Sequence, residues 1–411
     1  MTLQTRPDAI KPLNRFSSHA PQQISPTSVK LPRVIFSCFK PVSGAGTMKT
    51  FARWAVSVSI LGTILLAGCS SSGTPANGGG STVTPGPPLA TGGATTLYAV
   101  QSNLFIDGAT PDAILSFSAT ATGTVTPSAA LNAPSGVVFT NVATDTAGNL
   151  YVSALFVTVT STAITPTGVS EILVYPAGST GTATPSRTIT GASTGLTYPF
   201  SLAIDSTGQL YVGQTTDYQE ATQGTGSILV FPSGANGNTA PARTIAGSAT
   251  GLSSPSSLAV DTTGQLYEAD YNGGSVFAFA AGANGNVAPT RILDGLAGGA
   301  YGVAVDTGNN LYVTGVDSTQ SYGIIAEFAP TAGNTTPPLR TIGGAGLGAT
   351  YSIGNLLVDR VGNIYVPYAY SSTGYALAAF GPTATGDVGP ATRQSLSGGR
   401  FYDYYLSIAL H

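Results

Sequence analysis

Residues equipped for chemistry are scarce in this 411-residue chain. It holds two histidines and two cysteines, and of these only Cys69 and His411 lie beyond Arg53. A zinc site of His and Cys ligands is therefore excluded there on inventory. A Ser-His-Asp triad would have to use the terminal residue as its base, so that chemistry is not expected. Acidic residues are better placed. Asp145, Asp205, Asp261, Asp306 and Asp359 each stand six residues before a Tyr, within Asp-x-x-Gly-x-(Leu/Ile)-Tyr or a close variant; Asn309 replaces the Gly of the fourth copy. Five carboxylates in register could form a charged ring. The fixed six-residue link instead marks turns, because an Asp side chain accepts from amides two residues on and Gly supplies positive φ.

Tyrosines are the other candidates. Tyr198, Tyr301, Tyr351 and Tyr404 precede the Asp-bearing runs, whereas Tyr218, Tyr271, Tyr368 and Tyr370 follow the Tyr-bearing ones. A tyrosine offers a flat apolar surface and a hydroxyl, which suits glycans, peptides or protein partners. These eight are the expected ligand-binding set, against the plainer reading that some merely plug a channel. No Trp lies beyond Trp54, which weakens a sugar-stacking reading.

The elements that must position these residues repeat. Successive Tyr residues of the Leu/Ile-Tyr pairs are 53, 60, 56, 45 and 53 residues apart, a spacing typical of propellers and arrays. Each unit holds four short runs rich in β-branched and aromatic residues, separated by Gly, Pro, Asn and Ser. No unit keeps a 3.6-residue apolar period over three turns, so helices are not expected. Leu97-Tyr98 opens the series without an Asp-bearing run, and residues 406–411 supply that missing run from the other end. The expected fold is all-β: a six-bladed β-propeller of four-stranded blades, closed by the C-terminal strand pairing into the N-terminal blade. We name the strands of a blade a to d from the centre outward.

Loop lengths separate the two faces. The a–b link is six residues in every complete copy, and the aromatic ending strand c lies ten residues before a Pro every time. The b–c connections vary, from 12 to 24 residues between the Tyr and that aromatic. The face carrying the b–c and d–a loops is thus individual, and binding is expected there. Five arginines (Arg187, Arg243, Arg291, Arg340 and Arg393) recur near the start of strand d. We read them as structural, paired with acidic neighbours or covering apolar surface with their stems.

Strings such as Ser257-Leu258-Ala259-Val260-Asp261, Gly264-Gln265-Leu266-Tyr267-Glu268-Ala269-Asp270 and Ser275-Val276-Phe277-Ala278-Phe279 resemble NHL repeats of six-bladed propellers, a group that includes gluconolactonase-like and strictosidine-synthase-like proteins. The resemblance spans residues 95–411 and implies fold rather than function, since such propellers host enzymes, scaffolds and binders alike. The Pro-x-Arg-Thr-Ile segment and the long Ser/Thr-rich b–c loops depart from the typical repeat. A gluconolactonase-like site would imply acidic and amide ligands for a divalent cation such as Ca²⁺ at the channel mouth. Glu268, Asp270 and Asn272 are the candidates, although Asp270 and Asn272 also match the ordinary turn of the repeat.

The front of the chain reads as an export signal. Met48 to Arg53 carries two positive charges, Trp54 to Leu66 is apolar, and Leu66-Ala67-Gly68-Cys69 resembles the bacterial lipobox, whose Cys is lipidated. Ser70 resembles the outer-membrane sorting preference of Gram-negative lipoproteins. The expected organisation is 1–47 as a mis-annotated or disordered extension ahead of the true start at Met48, 48–68 as signal peptide, 69–94 as Ser/Gly/Thr/Pro-rich tether, and 95–411 as propeller. Beyond Arg53 there are seven Arg, no Lys and 17 acidic residues, a net charge of −10 that repels nucleic acid. The expected protein is a monomer in the bacterial envelope, lipid-anchored at the outer membrane through Cys69 and touching the membrane through that anchor only. It needs no cofactor and acts as a binding or scaffold module for an envelope protein, peptide or glycan. The competing class is a metal-dependent lactonase or lyase with an acidic channel-mouth site.

Overall fold

The computed structural model describes residues 84–102, 112–159, 164–216, 225–294, 299–316, 322–334, 336–350, 352–371, 374–396 and 407–411. The segment read as signal peptide, Cys69, most of the segment read as tether, Tyr218, Tyr351 and Tyr404 lie outside these residues. The described part is an all-β, six-bladed propeller. Blade 2 comprises Val137–Thr144, Leu150–Val159, Ile164–Tyr175 and Arg187–Ile189; blade 3 comprises Tyr198–Ile204, Leu210–Thr215, Ser227–Phe231 and Arg243–Ala246. Blade 4 follows with Pro255–Val260, Leu266–Asp270, Ser275–Phe279 and Arg291–Leu293, and blade 5 with Gly302–Val305, Leu311–Val316, Gly323–Phe328 and Arg340–Gly343. All these neighbours pair antiparallel.

Closure follows the sequence expectation. Ile408–Leu410 is strand a of blade 1 and pairs antiparallel with its strand b, Thr96–Gln101, placing Tyr98 opposite Ala409. Strands c and d of that blade are Ala113–Ser118 and Ala129–Asn132. The ring is split where every other blade has its a–b turn, and hydrogen bonds rebuild the turn: Thr95 N and Thr96 N donate to the His411 carbonyl at 3.0 and 2.9 Å. Residues 84–94, the end of the segment read as tether, lie against blade 6. Gly86 N donates to Gly389 O at 2.9 Å, Ala90 N to Asn363 Oδ1 at 2.7 Å and Ala94 N to Asp359 Oδ2 at 3.1 Å.

Blade 6 departs from the pattern. Its strand a is broken into Ser352–Ile353 and Leu357–Val358, both facing strand b, Ile364–Ala369. Three residues of strand a oppose two of strand b at the break, a bulge next to Pro367, which has no N–H to offer. Strands Tyr375–Phe380 and Thr392–Leu396 complete the blade, and Gly123–Val125 of blade 1 adds a parallel strand outside them.

Packing explains why the sheets stack radially. Six buried apolar clusters occupy the six seams, one between each pair of neighbouring blades. The repeated strand-b Tyr faces the next blade, and the aromatic ending strand c (Phe117, Tyr175, Phe231, Phe279, Phe328 or Phe380) is at most 3% exposed. A fully buried aliphatic or aromatic side chain contributes about 1.5–3 kcal/mol, against about 1 kcal/mol for a hydrogen bond. The seams therefore hold by apolar burial, while hydrogen bonds set their register.

Deleting residues 407–411 should expose the inner edge of blade 1 and open the ring, giving loss of cooperative thermal unfolding and association on size exclusion. A truncated head that melts with the full-length one would contradict this closure.

Candidate functional site

The five repeated Asp residues serve their turns. In each, Oδ1 accepts two backbone amides, as in Asp205 from Thr207 N and Gln209 N, both at 2.9 Å. The residue at the Gly position has positive φ in all five, including Asn309 at 64°. The second carboxyl oxygen continues outward: Tyr211, Tyr267, Tyr312 and Tyr365 donate their hydroxyls to the Asp of their own blade at 3.2–3.4 Å. Burial pushes the Tyr312 hydroxyl up to about 12, with Glu327 reinforcing it.

The arginines take over from the tyrosines. Arg187, Arg243 and Arg291 each donate to the hydroxyl of their own blade's Tyr and to a carbonyl in the c–d turn of the next blade: Ala235, Ala283, and both Pro330 and Ala332. Their guanidinium carbons lie 5.4–5.7 Å from the centres of the same rings. Arg340 reaches Pro382 and Ala384 in the same way and also pairs with Glu327, the one salt bridge among the described residues. Arg393 differs. It falls one residue later in its strand, so it points to the other face, donates to Gly346 O and Leu347 O of blade 5, and covers the Tyr368 ring at 5.7 Å. The structural reading of these arginines therefore stands, but their partners are mostly carbonyls and tyrosines.

At the centre lies a cavity of about 670 Å³, walled by the C-terminal halves of the a strands. Leu202, Leu258, Val303, Leu357 and Ile408 give it aliphatic wall, Asn141, Ser201, Ser257 and Asn355 add polar groups, and Asp145, Asp359, Arg360 and His411 stand at its a–b turn side. Among the described residues, none of the candidate tyrosines Tyr198, Tyr271, Tyr301, Tyr368 and Tyr370 lines it. Its inner part carries a feature the sequence reading missed. The position four residues before the Asp, or before His411 in blade 1, is small or polar in every blade: Asn141, Ser201, Ser257, Gly302, Asn355 and Ser407. Several of these residues bond to the next blade's innermost strand. Asn141 Nδ2 donates to Phe200 O at 2.9 Å, Ser201 Oγ to Pro255 O at 2.7 Å, Val303 N to Ser257 Oγ at 3.1 Å, and Val142 N to Ser407 Oγ at 3.1 Å. In blades 2, 3 and 4 the register of strand a shifts at the residue just before, Thr140, Phe200 or Ser256, which forms a bulge. Aligning the copies on Asp and reading four residues back would have found this hub.

On the individual face the tyrosines divide. Tyr271, after strand b of blade 4, meets Tyr301, before strand a of blade 5, edge to face with ring centres 5.5 Å apart; both are half-buried. Tyr198 begins strand a of blade 3 and is also half-buried. Tyr370 is 39% exposed and tilts against Tyr368 at 6.3 Å. Tyr368 itself is fully buried, with its hydroxyl pushed up to about 12 by burial, so it supports Tyr370 from below and offers no surface to a ligand.

Glu268 and Asp270 lie inside the seam between blades 3 and 4 rather than at the cavity, both 0% exposed. Asp270 is fully engaged by Ser253 N, Ser254 N, Ser253 Oγ and Gly273 N. Asn272 sits exposed on the following turn. Among the described residues no group of three or more His, Cys, Asp or Glu side chains could hold a metal ion.

No family model matches this chain, and no curated protein sequence does. Solved structures resemble it. A protein of unknown function from Bacteroides caccae is 11% identical with a TM-score of 0.49, covering 77% of this chain and 98% of that one. A luciferin-regenerating enzyme is 14% identical at 0.45, covering 76% and 95%. A candidate gluconolactonase is 13% identical at 0.41, covering 77% and 96%. The fold assignment rests on this chain's own strand pairing.

The hub has no room for a side chain at Gly302, where a Cβ would stand 2.5 Å from the Asn355 Cα. Gly302→Ala should cost about 1–3 kcal/mol by forcing strand a of blade 5 off blade 6. An unchanged urea midpoint would refute the close approach.

Proposed function

We propose that this chain is an exported, lipid-anchored propeller whose b–c and d–a loop face binds a protein, peptide or glycan, without catalysis of its own. The observation that carries the reading is the Tyr271–Tyr301 pair. Two neighbouring blades contribute one ring each, from the kinds of loop that vary most in length, and both rings remain partly open to solvent. Rigid aromatic anchors of this kind supply large contact area at low entropic cost. Tyr198 and the exposed Tyr370 extend the same face. Among the described residues, the five repeated Asp are engaged in turns and the candidate ligands Glu268 and Asp270 are enclosed in a seam, which favours binding over a metal-dependent lactonase or lyase.

The anchor follows from the lipobox-like Leu66-Ala67-Gly68-Cys69, the charged and apolar stretch before it, and the Ser/Gly/Thr/Pro-rich segment after it. In this arrangement the propeller is a monomeric head held at the outer membrane of a bacterial envelope. Replacing Cys69→Ser should move the protein from the membrane to the soluble fraction; retention in membranes would contradict lipidation.

For the ligand, the tether-free head should be screened against arrays of glycans and envelope proteins. Tyr271→Ala and Tyr301→Ala should each weaken a hit by about tenfold while leaving the thermal midpoint within a few degrees. Binding that is indifferent to both substitutions would place recognition elsewhere.

A further inference from the structure

One seam differs from the other five in kind. The residue after the repeated strand-b Tyr points into the seam with the preceding blade and is Ala99, Val152, Val212, Val313 or Val366 in five blades, each at most 2% exposed. In blade 4 that position is Glu268, also 0% exposed. Strand register puts it between Leu258 and Phe277, both members of the apolar cluster that joins blades 3 and 4. Neither carboxyl oxygen has a hydrogen-bond partner among the described residues. A lone charge in such a place is far costlier than a neutral acid.

We propose that Glu268 makes the seam between blades 3 and 4 responsive to pH, closed while the carboxyl keeps its proton and loosened when that proton passes to water.

The surroundings offer the ionised form no relief. On its own strand Asp270 faces the same seam and adds a like charge. The flanking strands Pro255–Val260 and Ser275–Phe279 carry no titratable side chain. From blade 3, strand a contributes Tyr198 and strand b contributes Tyr211, whose hydroxyl is held by Asp205 and Arg243. Strand c contributes no titratable group, and strand d only Arg243, already spent on Tyr211 and Ala283 O. Burial, then Asp270, holds the Glu268 carboxyl well above the usual carboxylate range. The sign follows. The folded state keeps a proton that the unfolded chain releases near pH 4.3, so this contribution to stability is complete below that pH and is lost as pH rises toward the raised value. The effect is intrinsic to the head and independent of any ligand.

The test compares thermal midpoints of the full head and its Glu268→Gln and Glu268→Val variants from pH 5 to pH 9. The wild-type midpoint should fall relative to both variants by roughly 4 °C or more across that range, with Glu268→Val, which restores the residue of four other blades, matching or exceeding wild type throughout. Parallel curves for wild type and variants would overturn the proposal, as would a Glu268→Val head less stable than wild type at pH 9. Hydrogen exchange on the unmodified head gives a second reading that needs no variant. After correction for intrinsic base catalysis, amides of Leu266–Asp270 and Leu210–Thr215 should lose protection with rising pH, while those of Ile364–Ala369 keep theirs. Equal protection loss in both seams would also sink it.

Discussion

Everything in this molecule depends on the contact by which one blade grips the next. The apolar cluster in each seam supplies most of the energy, but apolar surfaces slide. What stops them is polar and repeated at three radii. At the hub, small polar side chains bond to the neighbouring innermost strand. At middle radius, Asp, Tyr and Arg form a relay that ends on a carbonyl of the next blade. At the rim, strand d meets the c–d turn of the following blade in parallel, as Leu131 with Gly181, Ile189 with Gly237, Ile245 with Gly285 and Ile342 with Gly386. The Gly123–Val125 strand against Gln394–Leu396 is the same contact, lengthened, at the sixth seam.

This design explains a composition poor in charge. An arginine that stacks on a tyrosine and donates to neutral carbonyls needs no acidic partner, so four seams are latched with a single salt bridge among the described residues. Carbonyl acceptors at a turn also carry register, because a one-residue slip would remove them from reach. The cost is uniformity: a residue bound to this scheme in each blade is unavailable for function. Novelty is thus pushed to the loops of the other face, where Tyr271 and Tyr301 meet, and to positions where one blade breaks the rule.

Glu268 and Pro367 are the two clearest breaks, with different consequences. Pro367 removes an amide and splits the inner strand of blade 6, a loss absorbed locally by a bulge and by Gly354 N donating to the Pro367 carbonyl. Glu268 removes apolar contact without adding a partner, so its cost falls on a whole seam. A backbone defect can be repaired by its neighbours, whereas a buried acid can be repaired only by its own proton.

Periodicity alone was enough to determine blade number, strand count, the a–b and c–d turns, the structural role of the five Asp, and closure by the C-terminal strand. These are local or additive properties: each turn is written in six or ten consecutive residues, and a missing strand at one end is visible as a surplus at the other. The hub was written there too, as the small or polar residue four positions before each Asp. It is not legible as a hub in the sequence, because nothing local distinguishes a Ser that bonds across a channel from one on a surface. Only the tertiary structure decided that Glu268 lies inside a seam, that Tyr368 is buried beneath Arg393, and that none of the described candidate tyrosines lines the central cavity. Side chains alternate across a strand, so spacing tells which residues share a face. Which neighbour covers that face depends on how the blades are stacked, and stacking is a property of the closed ring.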